Sequence, residues 1–488
     1  MRLSRRMMLG GAASSLATAA VAEAPLTSLR PLARTPDVNA IARLVRNAPV
    51  SGQIGVYVRN MATGEVLEDI AGATPQPPAS VTKAVTALYA LEALGSTHRF
   101  QTAIYADGPI TGGVLDGNLI LAGGGDPNLV TDDLATLASR LKETGLREVK
   151  GDFLVWDDAL RNLDEIDETQ LDYLGYNPTV TGLNLNYNRV HFEWKREEED
   201  FTTAMDARSE NYRPAVTMSR ISVVERTAPV FTYTNLGNAD QWTVAKSALN
   251  NEGSRWLPTR HPALYCGEVF ATFARSHGIV LKAPEETQTA PTGTSIADFD
   301  GQPLSEVMRG MLRFSTNITA EATGLAATAA RIGQQRGLRT SALGMGRWAD
   351  ARAGGIAPYF VDHSGLGDQS RVSPADMVQL LQAEGAATTL RPILRDFRLQ
   401  DADGDLITSP GVAVKAKTGT LNFVSTLAGY LRTAKGRDLA FAIFASDLVA
   451  REEGKRLGAE RPAGSRSWNR RARGLQHAVL RHLAFRSA

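Results

Sequence analysis

Only one cysteine occurs in the 488 residues, Cys266, so no disulfide can form within the chain and the thiol reads as a buried structural group. Charge of neither sign is in excess. There are 53 basic against 52 acidic residues, a net charge of +1, which gives no basis for binding nucleic acid or a strongly charged partner. Beyond the first two dozen residues no stretch reaches the roughly 18 consecutive apolar residues of a spanning helix, so no transmembrane segment is expected in the mature chain. No internal repeat is visible. What remains is a chain with 43% hydrophobic residues, enough for large cores, and a length that fits two or three domains.

The first residues stand apart from the fold. Ser4-Arg5-Arg6, then Leu9 and a small-residue apolar run to about Ala22, resemble a twin-arginine export signal. Ala20-Val21-Ala22 offers a cleavage site, with a cut after Ala24 as the alternative. Residues 1–24 are therefore expected to be an export leader, and the product periplasmic or extracellular.

The most informative stretch is Pro77-Pro78-Ala79-Ser80-Val81-Thr82-Lys83. The prolines mark a loop. From Ser80 the text is apolar on nearly every side until Gly95, the pattern of a helix buried in a core. Ser80 and Lys83 lie one turn apart on one face. Desolvation disfavours an ammonium group, so a lysine there can be neutral and take the serine proton, giving an activated nucleophile. Ser-x-x-Lys alone is weak evidence, since roughly one is expected by chance in a chain of this size. Ser139 and Lys142 form a second copy, on an amphipathic helix whose lysine should face water.

Along the chain, residues 37–48 read as a short helix, and 53–59 with 65–70 as a hairpin. From about 97 to 290 the text changes to short strands and turns, with room for two nested domains. Gly123-Gly124-Gly125-Asp126-Pro127 lacks the Lys-Ser/Thr of a phosphate loop and reads as a tight turn before a helix. Lys195 to Asp200 is a charge run expected to be a solvated loop. Helical text returns at about 303 and leads through Phe314–Glu321 into a long alanine-rich helix, with further helices over 374–384 and about 470–485. Strands are expected over 412–418, 425–431 and 438–444. The last helix should pack Leu475, Val479, Leu480 and Leu483 on the sheet.

Two triplets join Ser80: Ser315-Thr316-Asn317 at a helix end and Lys417-Thr418-Gly419 at a strand end. Ser-x-Asn recurs at Ser209 and Ser467 and carries nothing alone. Lys-Thr-Gly occurs once. The order Ser-x-x-Lys, Ser-x-Asn, Lys-Thr-Gly, each in fitting local structure, is far more specific than any part.

This order resembles the penicillin-recognising serine enzymes, the DD-peptidases and serine β-lactamases. The 235 positions between Ser80 and Ser315 are too many for a compact β-lactamase and resemble the D-Ala-D-Ala carboxypeptidase/endopeptidase family, the class C low-molecular-mass penicillin-binding proteins, which carry domains inserted between the first two motifs. Gly123–Pro127, Val361-Asp362-His363-Ser364-Gly365-Leu366 and Ala416–Leu421 also look like that family. Thr316 and His363 depart from its usual residues without removing a reacting atom.

The resemblance implies an α+β fold: a five-stranded antiparallel sheet, two strands from 50–70 and three from 412–445, flanked by helices. The β-rich insertion, 97–290, divides the first part, 25–96, from the second, 291–488. It implies a peptidoglycan DD-peptidase with stem peptides as substrate, β-lactams as covalent inhibitors, and no cofactor or metal. Ser80 would be the nucleophile and Lys83 its base. Ser315 would relay the proton, Asn317 would hold Lys83 and the substrate amide, and Lys417 would add positive charge. Thr418, Gly419 and Thr420 would bind substrate, and Asp157, on the insertion, would meet an amine of the stem. Asp362-His363-Ser364 is not a triad, because successive side chains cannot converge on one point. A secreted β-lactamase or esterase of the same fold is the nearest alternative, although the insertion lacks a glutamate motif for fast deacylation. An inactive wall-binding protein is the other.

Overall fold

The computed structural model describes Asn39–Arg486. The expected export leader lies outside these residues. The central sheet has the order Ala413–Leu421, Val424–Arg432, Asp438–Ser446, Gln53–Asn60, Val66–Ile70, with every pair antiparallel. Strand Val424–Arg432 is buried at every position except the last, because both faces are covered. Side chains alternate between faces. Ala428, Tyr430, Ala440, Ala442 and Phe444 join the core around helix Thr82–Leu94. Leu427, Leu431, Leu439, Phe441 and Ile443 join a second core with Leu475, Val479, Leu480 and Leu483 of the C-terminal helix Ser465–Phe485 and Ile41 of helix Ala40–Asn47.

The insertion builds a second five-stranded sheet from Pro284–Glu286, Phe153–Trp156, Leu119–Gly123, Gln101–Ala106 and Ala297–Asp300, in that order. Its last strand therefore lies beyond residue 290. Nor is the insertion simply β-rich: helices Thr131–Glu143 and Pro262–Ser276 pack in its core. The second was expected as strands and loops. Its sequence, Pro-Ala-Leu-Tyr-Cys-Gly-Glu-Val-Phe, is apolar on most sides and so lacks a helical stripe, and Cys266 sits fully buried within it. Arg189–Glu197, Asp200–Asp206 and Glu252–Pro258 form one small sheet, and Ser219–Val224, Phe231–Asn235 and Asp240–Ala245 another. These share a separate cluster around Phe192 and Trp242. The charge run is thus not a loop. Lys195, Arg196 and Glu197 end one strand, Glu198 and Glu199 turn, and Asp200 opens the next, all with exposed side chains.

Several motifs settle as local structure. The amides of Gly124 and Gly125 donate to Gln101 and Gly182 carbonyls at 2.8 and 2.7 Å, so the glycine run is a turn and no phosphate cradle. Lys142 is exposed on its amphipathic helix.

The sheet meets the Ser80 turn at its edge strand. A Cβ on Gly419 would lie 2.2 Å from the Thr426 hydroxyl and 2.8 Å from the Pro78 carbonyl, and that hydroxyl donates to the same carbonyl at 2.7 Å. Gly419→Ala should therefore push the strand off the turn. The expected loss is roughly 1–3 kcal/mol of stability, read as a lower denaturation midpoint.

Candidate active site

Ser80 sits in a short 3-10 turn, Ala79–Val81, that runs into helix Thr82–Leu94. The preceding Ala79 has φ +47°, a left-handed conformation unfavourable for a residue with a Cβ. The turn is held from both sides. Gly419 abuts it on the strand, and Gly365, itself at φ +76°, lies so close that a Cβ there would stand 1.9 Å from the Ala79 carbonyl oxygen. Helix Leu304–Phe314 ends at Ser315 with φ +61°, and helix Asn317–Ile332 begins two residues on. This reversal projects Ser315 and Asn317 toward the same cleft.

Lys83 is fully buried. Its Nζ lies 3.0 Å from Ser80 Oγ, 2.7 Å from Asn317 Oδ1 and 2.8 Å from the Ser364 carbonyl oxygen. The last two atoms can only accept. A neutral amine has two N–H groups and one lone pair. Its N–H groups match the two obligate acceptors, and the lone pair is left for the single partner that carries a proton, the Ser80 hydroxyl. Burial pulls the Lys83 amine down to about 8, against the upward pull of the Glu321 and Asp362 carboxylates.

Those carboxylates are themselves fully enclosed and hold the Ser364 loop. Glu321 accepts from the amides of His363 and Ser364, both at 2.9 Å, and Asp362 accepts from those of Gly365 and Gly367 at 2.6 and 2.5 Å. Burial raises both acids, most strongly Glu321. His363 pairs through Nε2 with Ser341 Oγ at 2.8 Å, and burial pushes it down to about 3, so it stays neutral. Asp362, His363 and Ser364 thus turn to different partners. Sequence reasoning missed Glu321 and the Ser364 carbonyl. A lone acid in an alanine-rich helix, four residues after Asn317, was the available signal.

Lys417 Nζ lies 3.0 Å from Ser315 Oγ and 2.7 Å from the Thr418 carbonyl. Burial first, then repulsion from Lys83 and Arg395, holds its amine well below the ordinary value. Along the strand, buried Lys417 and Gly419 alternate with exposed Thr418 and Thr420. Ser80, Ser315, Asn317 and Thr420 line one cavity of about 370 Å³; Thr418 does not. Its far wall comes from the insertion at Thr169–Leu171, Leu174 and Tyr176, and Asn317 Nδ2 donates to the Tyr176 carbonyl at 2.8 Å. Asp157 is not among the lining residues. It ends its strand half-buried, accepting from Asn162 at 3.3 and 3.4 Å, and burial raises its carboxyl to about 6.

Three chain segments far apart in sequence thus converge on one serine. A model of the D-Ala-D-Ala carboxypeptidase 3 (S13) family matches residues 38–461. A D-alanyl-D-alanine carboxypeptidase of Actinomadura sp. (strain R39) is 28% identical over 487 residues, covering 90% of this chain and 84% of that protein. D-alanyl-D-alanine carboxypeptidase DacB of Haemophilus influenzae is 23% identical over 435 residues, covering 83% of this chain and 87% of that protein. The crystal structure of penicillin-binding protein 4 (dacB) from H. influenzae has the same fold, with a TM-score of 0.72 at 21% identity over 91% of this chain and 99% of that one. The same protein complexed with a β-lactam gives 0.71. The match runs through both parts of the central sheet and through the insertion between them, and the chain belongs to the D-Ala-D-Ala carboxypeptidase 3 (S13) family.

Proposed function

We propose that this serine-type D-Ala-D-Ala carboxypeptidase family hydrolase cleaves peptidoglycan stem peptides, at the terminal D-Ala or at the D-Ala cross-link, through an acyl-enzyme on Ser80. The observation that carries the reading is the set of three partners around Lys83 Nζ, of which only Ser80 can give up a proton. Lys83 takes that proton as Ser80 attacks the carbonyl. The amides of Ser80 and Thr420 form the oxyanion hole, where each donor commonly contributes about 2.7–4 kcal/mol. Ser315 passes the proton to the leaving amine, and Lys417, 3.0 Å from its oxygen, keeps that hydroxyl oriented and the local potential positive. Asn317 ties Lys83 to the substrate amide, and Thr420 in the cavity takes the terminal carboxylate, with Thr418 outside the cavity lining but exposed on the same face of the strand. No role with substrate is assigned to Asp157.

The wall substrate lies outside the cytoplasm, so the proposal includes export, with residues 1–24 as leader. No helix among the described residues is long and apolar enough to cross a membrane.

Purified Ser80→Ala should take up no labelled penicillin while the native protein takes up one equivalent. An adduct on the variant would remove Ser80 as nucleophile. The acylation rate should also depend on pH in a defined sense. Lys83 must be unprotonated to act, so the rate should climb as pH rises toward about 8 and level off above it. A stopped-flow profile that is flat or falls over pH 6–9 would remove Lys83 as base.

A further inference from the structure

A second, smaller cavity of about 150 Å³ opens on the other side of Ser315 and Asn317. It shares Tyr176, Ser315 and Asn317 with the catalytic cavity, so the two adjoin at the serine relay. Such a space is well above the roughly 10–15 Å³ needed to hold one water. Among its lining residues a single one is ionic: Arg189.

Arg189 is half-buried. Its guanidinium lies over the rings of Tyr187 at 5.1 Å and Trp256 at 5.3 Å, and its Nε is buried with no hydrogen-bond partner. No carboxylate among the described residues pairs with it. Rings cover the faces of a guanidinium and leave its in-plane donors unused. A half-buried cation with one enclosed N–H unused and no anion beside it is open to pairing with an anionic group in the cavity it lines.

The backbone before Arg189 is built to place it. Asn186, Tyr187 and Asn188 have φ of +49°, +60° and +53°, three left-handed residues in succession. Buried side-chain bonds lock this segment. Asn186 Nδ2 donates to Thr131 Oγ1 at 2.9 Å and lies 3.1 Å from the Tyr265 hydroxyl. Asn188 Nδ2 donates to the Thr179 carbonyl at 2.9 Å and to Asn184 Oδ1 at 2.7 Å. Strain held this firmly marks a placed site rather than a loose loop.

We propose that Arg189 forms a carboxylate-binding subsite for the leaving side of the substrate, and that it favours cross-linked stems over free D-Ala ends. The assignment rests on the DD-peptidase reading, in which Ser315 protonates the leaving amine. What lies past Ser315 is then leaving group. A departing D-Ala ends at the carboxylate taken by Thr420 and has nothing left to reach Arg189. A departing cross-linked stem is longer and carries further carboxylates. A planar guanidinium suits a carboxylate through paired N–H donors, which a lysine at the same place would not reproduce.

The test compares native protein with Arg189→Met and Arg189→Lys on three substrates: a small β-lactam, a monomeric stem ending in D-Ala-D-Ala, and a cross-linked dimer. The expected result for Arg189→Met is a rise of about tenfold or more in KM for the dimer, with partial recovery in Arg189→Lys. The monomer and the β-lactam acylation rate should stay within about twofold. Independently of any variant, native protein should lose about the same factor on a dimer whose leaving-stem carboxylates, other than the one adjacent to the scissile amide, are amidated. Equal losses on all three substrates would mean a structural role and overturn the subsite, as would a dimer indifferent to amidation. A native protein that forms no β-lactam adduct and cleaves neither peptide would instead overturn the underlying peptidase reading.

Discussion

The site depends on an amine removed from water. Lys83 carries its nitrogen into a fully enclosed position where three oxygens, from the Ser80 turn, the Asn317 helix start and the Ser364 loop, surround it. In water such an amine is an ammonium ion and no base. Enclosure lowers the cost of the neutral form relative to the charged one. The nearby acids Glu321 and Asp362 work the other way, and the balance leaves the amine poised near physiological pH. Those acids also accept four backbone N–H groups, so the groups that tune Lys83 electrostatically also fix the loop whose carbonyl it donates to.

A second constraint is steric. The Ser80 turn is gripped between a strand and a loop that approach too closely for any side chain, at Gly419 and Gly365. The left-handed Ala79 is tolerable only because that grip over-determines its conformation. The placement of Ser80 therefore rests on close contacts made by residues with no functional groups. Two of the three motifs contribute a reactive side chain and also part of the frame that holds the others.

Much of this was legible in the chain, for identifiable reasons. The central strands alternate or run continuously apolar, and the buried Ser80 helix has a glycine stop, so local pattern and tertiary role agree. Ser80, Lys83 and Ser315 stand out because each falls at a helix end; Lys417, expected at a strand end, lies mid-strand because pairing continues to Leu421, and it stands out through the single Lys-Thr-Gly triplet. The insertion was harder to read. Helix Pro262–Ser276 is buried on most sides and has no polar stripe to reveal its period, while the charge run turned out to be a hairpin because exposed strands tolerate charge on both faces. The cleft wall was also hidden. Asp157 sits at a strand end as its context indicates, but residues 169–176 reach the cavity through irregular loop structure, which carries no periodicity to follow.

The order of the sheet has a consequence for the life of the chain before it is finished. Gln53–Asn60 lies between a neighbour made immediately after it and one, Asp438–Ser446, that emerges almost last. The insertion has separate cores and can settle while the catalytic half is still waiting for its remaining strands. Neither the Thr426 hydroxyl that anchors the Ser80 turn nor Lys417 exists in the meantime. A ribosome-bound or prematurely truncated product thus has the Ser80 turn without its anchor and the cleft without one of its two buried lysines, and the site geometry arrives only with completion.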